Sequence, residues 1–236
     1  MYTFSIAGEG VTDQAVIENI LCGYFENLNL EDEINYSHPL YDETDQKQRG
    51  FSNWTLLLDY LAHSDFRADV LNCEFIVIQV DTDISNEKGF DVSQFDPDNQ
   101  PLTPEILITH VVDKLIGTIE GGETGFYQEH AERIIFAVSV HSIECWLYAH
   151  YNKEPPLKSP KITGCAKALS YYLLNKDKNK AFSKIEKTQP CYNKLSQPFQ
   201  KRQHIDAVAQ KDPSFRVFIQ SLEKIENQIF NLNNSG

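Results

Sequence analysis

No apolar run in this chain approaches the ~18 residues that cross a bilayer as a helix, so a membrane-spanning protein is not expected. Cysteine is sparse: five residues, Cys22, Cys73, Cys145, Cys165 and Cys191, are scattered and never form a CxxC pair. That argues against a zinc ribbon or a dithiol redox motif, and reduced thiols in the cytoplasm are the expectation. The first residues show no basic stretch leading into an apolar segment, so a secretory leader is not expected either. A dinucleotide fingerprint is also missing. Gly8 and Gly10 would need a third glycine at position 13, where Asp13 stands and would repel a pyrophosphate. No Walker lysine follows.

Positive charge is scarce and unevenly spread. The 236 residues hold 21 Lys and Arg against 34 Asp and Glu, a net charge of −13, which argues against a generic nucleic-acid binder. Residues 1–152 contain 6 basic and 27 acidic side chains, whereas residues 153–202 contain 12 and 3. A basic segment therefore sits beside an acidic body. Its lysines either pair with that body across a solvated surface or contact phosphates and release their counterions. Lys158, Lys161, Lys167, Lys176, Lys178 and Lys180 are the candidates for nucleic-acid contact.

What is present is a regular alternation of elements. Met1–Ala7 reads as a strand, and Thr12 or Asp13 can cap a helix carrying Val16, Ile17, Ile20, Leu21 and Phe25 at helical spacing. A short strand is expected near Ile34–Tyr41, and Trp54, Leu57, Leu58 and Leu61 mark a second helix. Phe75–Val80 is a continuous, branched apolar run, as a buried parallel strand requires. A polar loop over 84–103, a helix from Pro104 to Ile119, a strand over Ile134–Val140 and a helix over Ser142–Tyr151 follow. This order predicts an α/β fold with a largely parallel sheet flanked by helices. After the break at Pro155, Pro156 and Pro160 the chain reads as helical, closing in an amphipathic helix from Pro213 to Phe230. That helix would serve a core or a dimer equally well, so the oligomeric state stays open.

The chemistry is expected at two strand ends. Phe4-Ser5-Ile6-Ala7 runs into Gly8-Glu9-Gly10, a tight turn that leaves Glu9 at the sheet edge, and Phe75–Val80 runs into Asp81-Thr82-Asp83. Strand ends are where open α/β sheets hold ligands, and gathered carboxylates repel one another unless a cation lies between them. The economical reading is a divalent metal, Mg²⁺ or Mn²⁺, held by oxygen ligands from Glu9, Asp81 and Asp83. DxD alone is not specific, since haloacid-dehalogenase-type phosphatases and metal-dependent glycosyltransferases use it too. Glu144, at the start of the helix after the last strand, is either a further ligand or an acid favoured by the helix dipole. Glu87 and Asp91, in the loop that follows Asp83, are either a further carboxylate around the ion's direct ligands or solvated; Trp146 reads as core, and His141 and His150 as base or phosphate contacts or as structural or surface residues.

A strand ending in GEGVTD, a later strand ending in DTD and a helix between them resemble a Toprim domain, the metal-binding fold of topoisomerases, primases, OLD-family nucleases and recombination proteins. The resemblance covers about residues 1–151, with 1–152 as a Toprim-like metal-binding domain and 153–236 as a Lys-rich helical extension. VSVHSIECWLYAH, residues 138–150, is similar to a segment of small RloB-like Toprim proteins, which, like AriB-type effectors, belong to bacterial phage-defence loci beside an ATPase. The resemblance implies a nuclease: Asp81 and Asp83 bind the metal, Glu9 shares it or acts as general acid/base, and DNA or RNA is the substrate. The alternatives are a Toprim-fold interaction protein docked on an ATPase, and a DxD phosphohydrolase of small molecules.

Overall fold

The four apolar segments form one sheet in the computed structural model, which describes residues 3–39, 53–152, 163–176, 182 and 184–234. The strands are β1 (Phe4–Ala7), β2 (Ile34–His38), β3 (Phe75–Asp81) and β4 (Ile134–Ser139), in the order β2-β1-β3-β4. Every neighbouring pair is parallel, with Phe4 opposite Phe75 and Ile76 opposite Ile134. The α/β expectation is met. The order reverses between β1 and β3, because the chain leaves β1 toward β2 on one side and later returns to β3 on the other. A crevice opens at such a reversal, beyond the carboxyl ends of the strands.

Between the strands lie α1 (Val11–Tyr24), α2 (Asn53–Ala62), α3 (Ser64–Asn72), α4 (Pro104–Gly122) and α5 (Phe126–His130). After β4 come α6 (Glu144–Tyr151), α7 (Cys165–Tyr171), α8 (Gln189–Ser196), α9 (Arg202–Ala209) and α10 (Pro213–Asn234). Local chemistry starts two of them. Thr103 caps α4 ahead of Pro104, which needs no amide hydrogen there. Asp212 caps α10, its carboxylate accepting from the Phe215 amide at 2.9 Å and the Ser214 hydroxyl at 2.7 Å. Among the described residues, no helix is long and apolar enough to cross a membrane.

Alternation along the strands decides which helices cover which face. Ile76, Ile78 and Val80 of β3 point into one buried cluster with Leu57, Leu61, Phe66 and Leu115 from α2, α3 and α4. Phe75 and Val77 point the other way, joining Phe4, Ile6, Ile17 and Ile20 and the late residues Tyr192, Leu195, Phe199, Ile205 and Phe215. The C-terminal helices thus complete the core over α1. Here the chain runs so close that a Cβ on Gly23 would lie 1.9 Å from the Phe199 carbonyl oxygen. The Asn19 amide nitrogen donates to the Asn193 side-chain oxygen and the Ser196 hydroxyl, both at 2.8 Å. Trp146 is fully buried, as expected for core, and its indole N–H donates to Ser214 at 2.8 Å.

Two sequence expectations need correction or placing. Cys145 and Cys165 are joined as a disulfide, with Cα atoms 4.9 Å apart, so these two are not the reduced thiols expected from their scatter. The bridge ties the first turn of α6 to the start of α7. The boundary expected after residue 152 falls at the end of α6. Of the candidate lysines, Lys167 on α7 and Lys176 at the end of a π-helical turn are exposed, whereas Lys158, Lys161, Lys178 and Lys180 lie outside the described residues.

Candidate active site

The face of the sheet that meets α1 changes character along each strand. On β3 the sequence on that face runs Phe75, Val77, Gln79, Asp81, and on β4 it runs Ile135, Ala137, Ser139. Apolar side chains fill the lower sheet, and polar ones take over at the carboxyl ends. Gln79 and Ser139 are both fully buried. Burying them costs free energy unless they are hydrogen-bonded, and both spend their donors on one atom. Asp81 Oδ1 accepts from Gln79 Nε2 at 2.9 Å, from the Ile143 amide at 3.0 Å and from Ser139 Oγ. Three donors fix the carboxyl group and leave Oδ2 as its other oxygen.

Glu9 approaches from the neighbouring strand, across the crevice where the strand order reverses. Its Oε1 accepts from the Asp81 backbone amide at 2.7 Å. Gly8 permits that approach: a Cβ there would meet Gln79 Oε1 at 3.2 Å. Asp13, in the first turn of α1, is buried beside the same crevice. Asp83 continues past β3 and is more exposed, with its amide donating to the His141 carbonyl at 3.0 Å. Glu144 opens α6, is buried, and its Oε1 accepts from the Tyr192 hydroxyl at 2.5 Å.

Electrostatics show that these acids share one field. Burial pushes Glu9 up to about 8, partly offset by the Asp81 amide and reinforced by Asp13 and Asp83. Burial, then Glu144, pushes Asp13 up to about 7. Asp81 lies well above the usual carboxylate range for the same reason, with Asp13 and Glu9 adding to it, and Asp83 is raised chiefly by burial. Glu144 is the exception. Burial opposes its charge, but hydrogen bonds from Tyr192 and Ser142 and the nearby Lys187 ammonium hold it below the ordinary value. Lys187 is raised despite its desolvation, because Glu144, Asp13, Asp81 and Asp83 surround it.

The structure therefore brings Glu9, Asp81, Asp83 and Glu144 together, as the sequence suggested. It adds Asp13 and Lys187. Glu87 accepts from the Trp54 indole at 3.1 Å, and Asp91 is exposed, in keeping with the solvated reading. His141 belongs to the site's rim. Its φ is 68°, a conformation rare for a side-chain-bearing residue, and its amide donates to Thr82 Oγ1 at 2.7 Å. Its Nδ1 is buried without a hydrogen-bond partner among the described residues. His150 sits at the far end of α6, away from the carboxylates. Among the described residues, no three His, Cys, Asp or Glu side chains stand in a ready-made ligand arrangement.

No family model fits the chain, and no curated protein or solved structure is significantly similar. The functional reading therefore rests on the site itself and on the motif resemblance.

One contact at this site has a direct test. Tyr192→Phe removes the only side-chain hydroxyl donated to Glu144 from α8 and leaves a buried carboxylate short of a donor. The variant is expected to lose about 1–2 kcal/mol in chemical denaturation. An unchanged midpoint would mean that Glu144 does not depend on this contact.

Proposed function

We propose that the protein is a metal-dependent phosphodiesterase that cleaves DNA or RNA at the carboxyl ends of β1 and β3. The observation that carries this reading is the convergence of Glu9 and Asp81 across the strand-order reversal, with Asp13, Asp83 and Glu144 in the same field. The donor set fits a hard divalent cation such as Mg²⁺ or Mn²⁺: every candidate ligand is a carboxylate oxygen, and three of them are kept from ionising freely by burial and mutual repulsion. Asp81 and Asp83 would hold the ion and Glu9 would share it. Bound there, the ion would supply charge neutralisation and a more acidic water.

The chain's own residues have separable tasks. Asp81 is immobilised by three donors and gives the site a fixed reference point. Glu9, with its proton affinity raised, is placed to exchange a proton with a nucleophilic water. Lys187 supplies a permanent positive charge to an otherwise acidic pocket, which an anionic phosphodiester needs. The similarity of GEGVTD and DTD to Toprim motifs supports the nuclease reading. The likeness of residues 138–150 to RloB-like proteins supports a role in phage defence beside an ATPase.

The test is incubation of plasmid, single-stranded DNA and bulk tRNA with the protein in Mg²⁺, in Mn²⁺ and in EDTA. Cation-dependent cutting of one of them is expected. If all three stay intact although the protein is folded, the phosphodiesterase reading fails, and the interaction-protein alternative takes its place.

A further inference from the structure

One residue at the rim of the crevice carries two costs that its surroundings do not explain. His141 has a φ of 68°, in the left-handed region that a residue with a side chain enters only under strain. Its Nδ1 is buried with no hydrogen-bond partner, and among the described residues it is the single buried side-chain nitrogen or oxygen in that condition. Gln79 and Ser139, buried nearby, both donate to Asp81 instead. Backbone strain and an unpaired buried polar atom, met in one residue, point to a role beyond folding.

Position narrows that role. The pairing of β3 with β4 continues past both strands: the Thr82 amide donates to the Ser139 carbonyl and the Asp83 amide to the His141 carbonyl, each at 3.0 Å. The His141 amide closes the turn on Thr82 Oγ1 at 2.7 Å. His141 is thereby locked beside the second acid of Asp81-Thr82-Asp83 and three residues ahead of Glu144. Burial raises the Asp83 carboxyl, and the His141 imidazole is the first group to oppose it. The ring, and not only the backbone, therefore lies near that acid.

A nitrogen beside mutually repelling carboxylates has few uses. A water would pair with the nitrogen and leave the repulsion as it was. A phosphate would add negative charge to it. A divalent cation meets both needs, accepting the lone pair and neutralising the acids. We propose that His141 Nδ1 is a ligand of the divalent cation, beside Asp81 and Asp83, and that it makes the site favour Mn²⁺ over Mg²⁺. The proposal rests on the cation-dependent reading above and adds a nitrogen donor to its oxygen ligands. Mg²⁺ demands oxygen and sheds its waters reluctantly, whereas a first-row ion takes imidazole readily, and Mn²⁺ also suits the carboxylates. Because no ready-made ligand group stands among the described residues, the ion must draw these side chains together as it binds.

Pulsed electron paramagnetic resonance of Mn²⁺ on the full chain tests this without any cleavage. A hyperfine coupling to a directly bound imidazole nitrogen is expected, and it should vanish in His141→Asn and His141→Gly. Both replacements accept a φ of 68°, and circular dichroism should show both variants folded. Calorimetric titration of the parent should find Mn²⁺ bound about tenfold tighter than Mg²⁺. His141→Gly should weaken Mn²⁺ binding by about tenfold or more and Mg²⁺ binding by less than about threefold. Suppose Mn²⁺ binds and is weakened by Asp83→Ala, yet its spectrum carries no imidazole coupling. That result would overturn this proposal and leave the cation-dependent reading standing. A coupling that survives in both variants, or equal parent affinities for the two ions, would do the same. Absence of any Mn²⁺ binding would overturn both together.

Discussion

Asp83→Ala is expected to lower cation-dependent cleavage by about 10²–10⁴-fold while leaving the melting temperature nearly unchanged. Asp83 is the informative choice because it lies past the end of β3, at the open rim of the crevice, with more of its surface exposed than Glu9 or Asp81. Glu9 and Asp81 are different. Glu9 Oε1 accepts from the Asp81 amide, so Glu9→Ala would also orphan a backbone donor. Glu9→Gln keeps that acceptor and removes the charge, and the same 10²–10⁴-fold loss is expected from it. Single-turnover cleavage at saturating Mg²⁺ is the measurement. If Asp83→Ala and Glu9→Gln both cleave within about threefold of the parent, the strand-end acids are not the machinery.

Without divalent cations, Asp13→Asn is expected to be more stable than the parent at pH 8, on the order of 3 kcal/mol, a rise of roughly 6–12 °C in melting temperature. The direction follows from linkage. Asp13 titrates at about 7 in the folded chain against an ordinary 3.8. Below pH 4 both folded and unfolded chains hold the proton, and stability is unaffected. Between those values the unfolded chain gives up a proton that the folded chain keeps, so stability falls as pH rises and the loss is complete above about pH 8. Glu9, raised to about 8, extends the same trend. Mg²⁺ should accordingly raise the melting temperature more at pH 8 than at pH 5. A parent protein whose melting temperature is flat from pH 5 to pH 8 in EDTA would show that these acids do not repel one another as argued. Stability surrendered at a functional site in this way is a common pattern.

The strand ends were legible because an apolar run stopped by carboxylates has few structural explanations. Asp13 was not, since an acid in the first turn of a helix is ordinary and its burial depends on the sheet beside it. Gln79 stood in plain view as a polar residue inside the β3 run, yet only the pleat reveals that it shares a face with Asp81. Lys187 was hidden among many lysines, and its place beside Glu144 is set by how α8 packs on α1. The helix α3 escaped because Asp65, Arg67 and Asp69 interrupt it, leaving Phe66 and Val70 as its buried apolar pair. The Cys145–Cys165 bridge spans 20 residues with no motif to announce it.

The contact between Asn19 and Asn193 joins residues 174 apart. A chain emerging from the ribosome makes β1 and α1 long before the partners for the outer face of α1, which lie far along the sequence. Until α8, α9 and α10 arrive, Ile17, Ile20 and Leu21 have no complete cover. Maturation is therefore a closing step: the segment that supplies Tyr192 and Lys187 to the acidic crevice is also the one that seals the core. The crevice cannot acquire its full electrostatic character before that segment is made, so the crevice and the core over α1 are completed together.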